Sequence, residues 1–354
     1  VRVLVVDDSA FMRKVISQMI TSDPAFELLG TARDGREGLE KAKELRPDIV
    51  TLDVEMPVMD GLEALRRIRA ECAEPKPHVV MCSSLTRQGS HAALQALSLG
   101  AADFVAKDAS IQITGLDELK AELLGKLRAL GKSRAVPPRV AAPVPRARQT
   151  DLRISPQSVD LLVIGSSTGG PPVLERLVSG FPRDMAVPCV VAQHMPPLFT
   201  ESMSERLNKM GAVAVEHGEA DRPMHPGRVY IIKGGQHGRV ERRSGVMMLR
   251  IGPEPARALY KPSVDELFSS AAQACGARAL GVILTGMGED GKIGARQLRS
   301  AGGQVIAQDA ASCVVYGMPR AVAESGIANA SLSPEEISRA LRGLSRAGGA
   351  ANAA

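Results

Sequence analysis

Twice along this chain, a short unbroken apolar run gives way to an amphipathic helical stretch, and the pair then repeats. Residues 1–6, 26–31, 48–52, 78–82 and 103–106 read as strands. A helical stretch with Phe11, Val15 and Met19 on one stripe follows the first. Residues 35–45, 61–70 and 90–99 supply further helices, and an amphipathic helix over 116–130 closes the set. Unbroken apolar runs mark strands covered on both faces. Five strand–helix units in this order require a parallel, doubly wound sheet.

The alternation restarts at residue 159. Strands are expected over 159–164, 187–193, 279–285 and 304–308. Helices are expected over 171–177, 198–210, 264–275, 291–300, 319–325 and 334–344. Pro171 stands where a first helical turn tolerates proline. The glycine-rich stretch 212–252 reads as hairpins. Between the two halves, Pro137, Pro138, Pro143, Pro145 and Pro156 mix with alanine and arginine, which cannot build a core. The expected organisation is a first domain over 1–130, a linker over 131–156, a second domain over 157–347 and a frayed tail over 348–354. A length of 354 residues also favours two cores.

Composition narrows the function. The net charge is +5. Much of the excess sits in the linker, at Arg134, Arg139, Arg146, Arg148 and Arg153, without interleaved aromatics, so it reads as a solvated basic segment and no nucleic-acid partner is expected. Cys72, Cys82, Cys189, Cys275 and Cys313 are dispersed and odd in number, and read as reduced thiols. His78, His91, His217, His225 and His237 lack metal-ligand spacing, which disfavours a zinc hydrolase. No apolar run approaches the ~20 residues of a membrane span, and the N-terminus opens on a strand with no signal-peptide pattern. The expected compartment is the cytoplasm, without membrane insertion.

In the first half, Asp7 and Asp8 end the first strand and Asp53 ends the third. Ser83 and Lys107 end the fourth and fifth. A parallel sheet gathers these ends on one edge. Acids at strand ends can simply cap helices, but these five residues at four strand ends of one sheet point to chemistry. Three converging carboxylates call for a hard cation, and Mg²⁺ fits. One Asp can then act as nucleophile toward a phosphoryl group, with Lys107 neutralising charge. The segments Val3-Leu-Val-Val-Asp-Asp-Ser, Leu52-Asp-Val-Glu-Met-Pro-Val-Met-Asp-Gly61 and Phe104-Val-Ala-Lys107 resemble bacterial response-regulator receivers. That resemblance implies a flavodoxin-like fold, phosphorylation at Asp53, Mg²⁺ held by Asp7, Asp8 and Asp53, and a switch formed by Ser83, Lys107 and Phe104. It also implies a histidine kinase as phosphodonor. Asp108 departs from the family, which usually has Pro there.

In the second half, Gly165-Ser-Ser-Thr-Gly-Gly170 lies between a strand and a helix. By itself this loop favours a phosphate or nucleotide site over a nucleophile turn. His194 follows the next strand, and Asp290 lies just past another in Thr285-Gly-Met-Gly-Glu-Asp-Gly291, with Glu289 beside it. Ser, His and Asp from three strand ends permit a proton relay. Together with Gln193-His-Met-Pro-Pro197, Lys261-Pro-Ser-Val-Asp265 and Ala311-Ser-Cys-Val-Val-Tyr-Gly-Met-Pro-Arg320, these motifs resemble the chemotaxis protein-glutamate methylesterases, the CheB family. The resemblance implies a Rossmann-like α/β hydrolase domain. In it Ser167 is the nucleophile, His194 the base, Asp290 its orienting partner and the Met287 N–H a candidate oxyanion donor. Ser166 replaces a more usual Ala, and Lys261 stands where some members carry Arg.

The implied reaction is hydrolysis of glutamate methyl esters, and deamidation of glutamines, on chemoreceptors, with no cofactor for the ester step. The unphosphorylated receiver is expected to cover the cleft, and phosphorylation to open it. Rival readings are a phosphorylation-gated binding protein, an esterase for another ester, and a nucleotide site at residues 165–170.

Overall fold

The protein is described from a computed structural model that covers residues 1–107, 113–135, 154–155, 157–255 and 258–346. The chain divides into two compact units, residues 1–137 and 138–354. In the first, β1 (Arg2–Val6), α1 (Ala10–Thr21), β2 (Glu27–Ala32), α2 (Gly35–Leu45), β3 (Ile49–Asp53), α3 (Gly61–Glu71), β4 (His78–Ser84), α4 (Arg87–Ser98), β5 (Asp103–Lys107) and α5 (Ile113–Ala135) alternate as expected. The sheet order is β2-β1-β3-β4-β5, every pairing parallel. Ser9, Asp34, Asp60 and Thr86 each accept a backbone N–H in the first turn of α1 to α4, which fixes where those helices begin. The helix α5 continues past the expected boundary at 130. The rest of the stretch read as linker, apart from residues 154–155, lies outside the described residues, as do Asp108 and the tail from 348.

The second unit contains β6 (Leu161–Ser166), α6 (Gly170–Ser179), β7 (Cys189–Gln193), α7 (Pro197–Met210), β8 (Ala214–Gly218), β9 (Arg222–Pro223), β10 (Arg228–Ile232), β11 (His237–Arg243) and β12 (Val246–Gly252). It continues with α8 (Val264–Cys275), β13 (Ala279–Ile283), α9 (Lys292–Ser300), β14 (Gln304–Gln308), α10 (Met318–Ala323), β15 (Ala330–Leu332) and α11 (Pro334–Leu341). Seven strands form one parallel sheet in the order β15-β14-β13-β6-β7-β10-β8. The chain builds outward from β6 on one side, then returns to its other flank at β13. The crevice beyond the ends of β6 and β13 is therefore a topological switch point, where ligands bind in such sheets.

The expectation of hairpins over 212–252 is corrected in part. β11 and β12 do form an antiparallel hairpin, with β9 on its edge. β8 and β10, however, pair in parallel and widen the main sheet. The physical reason lies in Val229, Tyr230, Ile231 and Ile232, all fully buried. An unbroken apolar run belongs to a strand covered on both faces, and the neighbouring glycines obscured it. The short strand β15 was not anticipated. No helix among the described residues is long and apolar enough to cross a membrane.

Candidate functional site

At the strand-end edge of the first unit, carboxylate oxygens of Asp7, Asp8 and Asp53 lie within 4.8 Å of one another. Asp7 is fully buried and Asp53 is 9% exposed. Lys107 Nζ reaches both, at 2.7 Å from Asp7 Oδ2 and 2.8 Å from Asp53 Oδ1. Burial pushes the Asp53 carboxyl above its ordinary range, and the nearby Asp7 charge adds to this; Lys107 offsets only part. This donor set fits Mg²⁺: hard oxygens whose crowding a divalent cation relieves. A cleft of about 480 Å³ opens beside it, lined by Asp8, Glu55, Met56 and Asp60 among others. Ser83 is buried and its hydroxyl donates to the Gly89 carbonyl in α4 at 2.8 Å, so it is engaged with that helix. Phe104 is buried on β5, with Lys126 Nζ 5.0 Å from its ring centroid.

In the second unit, β6 delivers Ser167, β7 delivers His194, and the loop after β13 delivers Asp290. The strand ends are tied by backbone bonds: Ser167 N donates to Thr285 O, and His194 N donates to Ser166 O, both at 3.1 Å. A methyl group on Gly286 would sit 2.8 Å from Ser167 Cβ, so this glycine lets the Met287 loop approach the serine. His194 Nε2 lies 2.8 Å from Asp290 Oδ2, and both side chains are under one-tenth exposed. Asp290 also accepts from Ser263 Oγ, Val264 N and Asp265 N at the start of α8. Burial alone would raise its carboxyl. The hydrogen bond and charge of His194, with the two backbone donors, outweigh that and hold it below the ordinary range. Asp290 is thus an anion that only accepts, so Nε2 of His194 carries the ring proton. Nδ1 is buried and makes no hydrogen bond; it is the nitrogen left to take a proton. Ser167 and His194 are not hydrogen-bonded to each other in this structure.

Three sets of contacts were not readable from the sequence. Tyr260 stacks on His194, with ring centroids 4.3 Å apart and planes 10° apart. Ser166 is fully buried, and its hydroxyl donates to Gln193 Oε1, so it packs the loop and is no second nucleophile. Thr285 joins three loops: its hydroxyl donates to Thr168 O and accepts from Val315 N, while its N–H donates to Gln308 Oε1. The first turn of α6 also weakens the phosphate-loop reading. Pro171 and Pro172 have no N–H, and Gly170 N already donates to Ser167 O. Anion sites at helix starts need those N–H groups free.

A family model described as CheB methylesterase matches residues 162–341, and one described as response regulator receiver domain matches residues 3–114. The chain is 42% identical, over 96% of its length, to protein-glutamate methylesterase/protein-glutamine glutaminase 1 of Oleidesulfovibrio alaskensis, of which it covers 98%. It is 45% identical to the protein of the same description from Symbiobacterium thermophilum, with 96% of each chain covered. Among solved structures, the CheB methylesterase catalytic domain of Thermotoga maritima superposes with a TM-score of 0.51 at 38% identity. It covers 53% of this chain and 99% of that one.

Proposed function

Because the chain belongs to the CheB methylesterases that carry a receiver domain, we propose that it hydrolyses glutamate γ-methyl esters on chemoreceptors, and deamidates receptor glutamines, under control of phosphorylation at Asp53. The observation that carries this reading is the His194–Asp290 pair, clamped on the start of α8 beside Ser167 at the sheet's switch point.

The reaction runs in two steps. Ser167 Oγ attacks the γ-carbonyl carbon while its proton passes to His194 Nδ1. The Asp290 charge stabilises the imidazolium through Nε2, and the Met287 N–H is the candidate donor to the tetrahedral oxyanion. Collapse breaks the ester C–O bond, His194 returns the proton to the leaving oxygen, and methanol departs. Water then adds to the acyl-serine with His194 again as base, giving glutamate and free Ser167. For a glutamine substrate the leaving group is ammonia. The roles of the two ring nitrogens are exchanged relative to the chymotrypsin arrangement, but the relay is the same.

In the receiver, Asp7, Asp8 and Asp53 would hold Mg²⁺, which would neutralise the charge of the incoming phosphoryl group. Asp53 accepts that group from a histidine kinase or a small phosphodonor. Lys107 stabilises its charge, and Ser83 and Phe104 carry the switch. The test is methanol release from methylated receptor membranes, with and without phosphodonor and Mg²⁺. Release should rise with phosphodonor, vanish in Ser167→Ala and lose its stimulation in Asp53→Asn. No release from folded protein on several receptors would overturn the substrate assignment.

A further inference from the structure

We propose that His237 is a positioning residue for the Ser167–His194–Asp290 relay, an inference that rests on the reading above. His237 opens β11 and is 1% exposed, so it cannot touch a protein substrate. Its Nδ1 accepts the backbone N–H of Ser263 at 3.2 Å. A ring nitrogen that accepts from an amide is unprotonated, so the neutral ring carries its proton on Nε2. That nitrogen is buried and makes no hydrogen bond of ordinary geometry. Burial drives the imidazole toward the neutral form, in keeping with this tautomer.

Ser263 is where the effect is transmitted. Its N–H is held by His237, and its hydroxyl donates to Asp290 Oδ1 while capping α8 through Glu266 N. The next two N–H groups, of Val264 and Asp265, also donate to Asp290. Residues 263–265 therefore aim three donors at one carboxylate, and His237 fixes the peptide at their head. Without an acceptor at Nδ1, the Ser263 N–H would be buried and unsatisfied, since Ser263 is only 6% exposed. The peptide would turn to find a partner, carrying the Asp290 donors with it. Asp290 would then hold His194 less well. Substrate affinity should change little, because His237 and Ser263 are themselves buried and the loss falls on how His194 is held. Among the histidines, His237 showed no sequence spacing of its own; its contact comes from β11 packing beside α8.

The experiment uses the full chain. His237→Leu keeps bulk but removes the acceptor, whereas the amide oxygen of His237→Asn can still take the Ser263 N–H. In methanol release from methylated receptor membranes, His237→Leu should lower kcat about 10- to 100-fold with KM unchanged. The downfield imidazole proton resonance of the His194–Asp290 bond should shift or broaden in that variant. His237→Asn should recover most of the rate and the resonance. Independently of any variant, spectra of protein with ¹⁵N-labelled histidine should show His237 as the Nε2–H tautomer, and this decides the matter if His237→Leu does not fold. An Nδ1–H tautomer overturns the proposal. So does His237→Leu with wild-type kcat and an unchanged resonance, or His237→Asn as impaired as His237→Leu. Ser167→Ala runs alongside. Release that survives it sinks the relay reading itself, whereas release lost in Ser167→Ala but intact in His237→Leu sinks only this inference.

Discussion

Asp290 accepts from His194, Ser263, Val264 and Asp265, and that surplus of donors decides its chemistry. A carboxylate so held stays ionised in a site that burial would otherwise neutralise. Asparagine keeps the shape but can donate, so it permits the wrong tautomer of His194. Asp290→Asn should therefore fold and lose about 10⁴-fold in kcat. Linkage gives a second readout. The folded pKa is depressed, so the ionised carboxyl contributes stability that is fully present above its unfolded value of about 3.9. That stability is lost as pH falls through the folded value. Urea titrations from pH 6 to pH 3 should show the gap between wild type and Asp290→Asn closing toward the acid end. Val58 poses a different problem. It has φ +68° at the centre of a tight turn closed by Met59 N–H donating to Pro57 O at 2.7 Å, a backbone that costs a β-branched residue about 1 kcal/mol or more, and the residue is 73% exposed. Glycine takes that conformation with no Cβ to clash, so Val58→Gly should relieve the strain while freeing the unfolded chain, and leave receiver stability within about 1 kcal/mol of wild type, read from its melting midpoint.

Helices with chemical punctuation were legible to the residue. The expected spans 35–45 and 264–275 coincide with α2 and α8, because Asp34 and Ser263 cap their starts and Gly276 follows the end of α8. Strands with unbroken apolar runs were equally readable. β10 was not, since glycines and prolines around it gave the signal of turns, and parallel pairing depends on distant strands. The site divides in the same way. Asp7, Asp53 and Lys107 in one sheet, and Ser167, His194 and Asp290 in the other, follow from strand ends, which topology brings to one edge of each sheet. Tyr260 and His237 do not, because stacking and support from behind depend on the path of loops through space. Caps also permit a quantitative test. Ser333 starts α11 with a full capping box: it accepts Glu336 N while Glu336 accepts its N–H. Ser333→Ala should cost about 1 kcal/mol of stability in the second unit, read from its denaturation midpoint.

At the scale of the molecule, two separate sheets and two separate cores make two cooperative units. Calorimetry should resolve two transitions. If the receiver takes Mg²⁺ and a phosphoryl analogue as proposed, the pair should raise one transition and leave the other in place. Ser333→Ala should lower that other transition instead. The proposed regulation can then be tested by removing the receiver. The seven-stranded sheet and its helices lie within residues 157–346, as do Ser167, His194 and Asp290 of the proposed relay. A fragment beginning at residue 151 should therefore fold and release methanol. If the unphosphorylated receiver restrains the esterase by covering it, the fragment should outpace the unphosphorylated full chain and ignore phosphodonor. A fragment slower than the full chain, and a full chain still stimulated by phosphodonor, would instead mean that the phosphorylated receiver contributes to the active state, so that its removal takes away an activator along with any restraint.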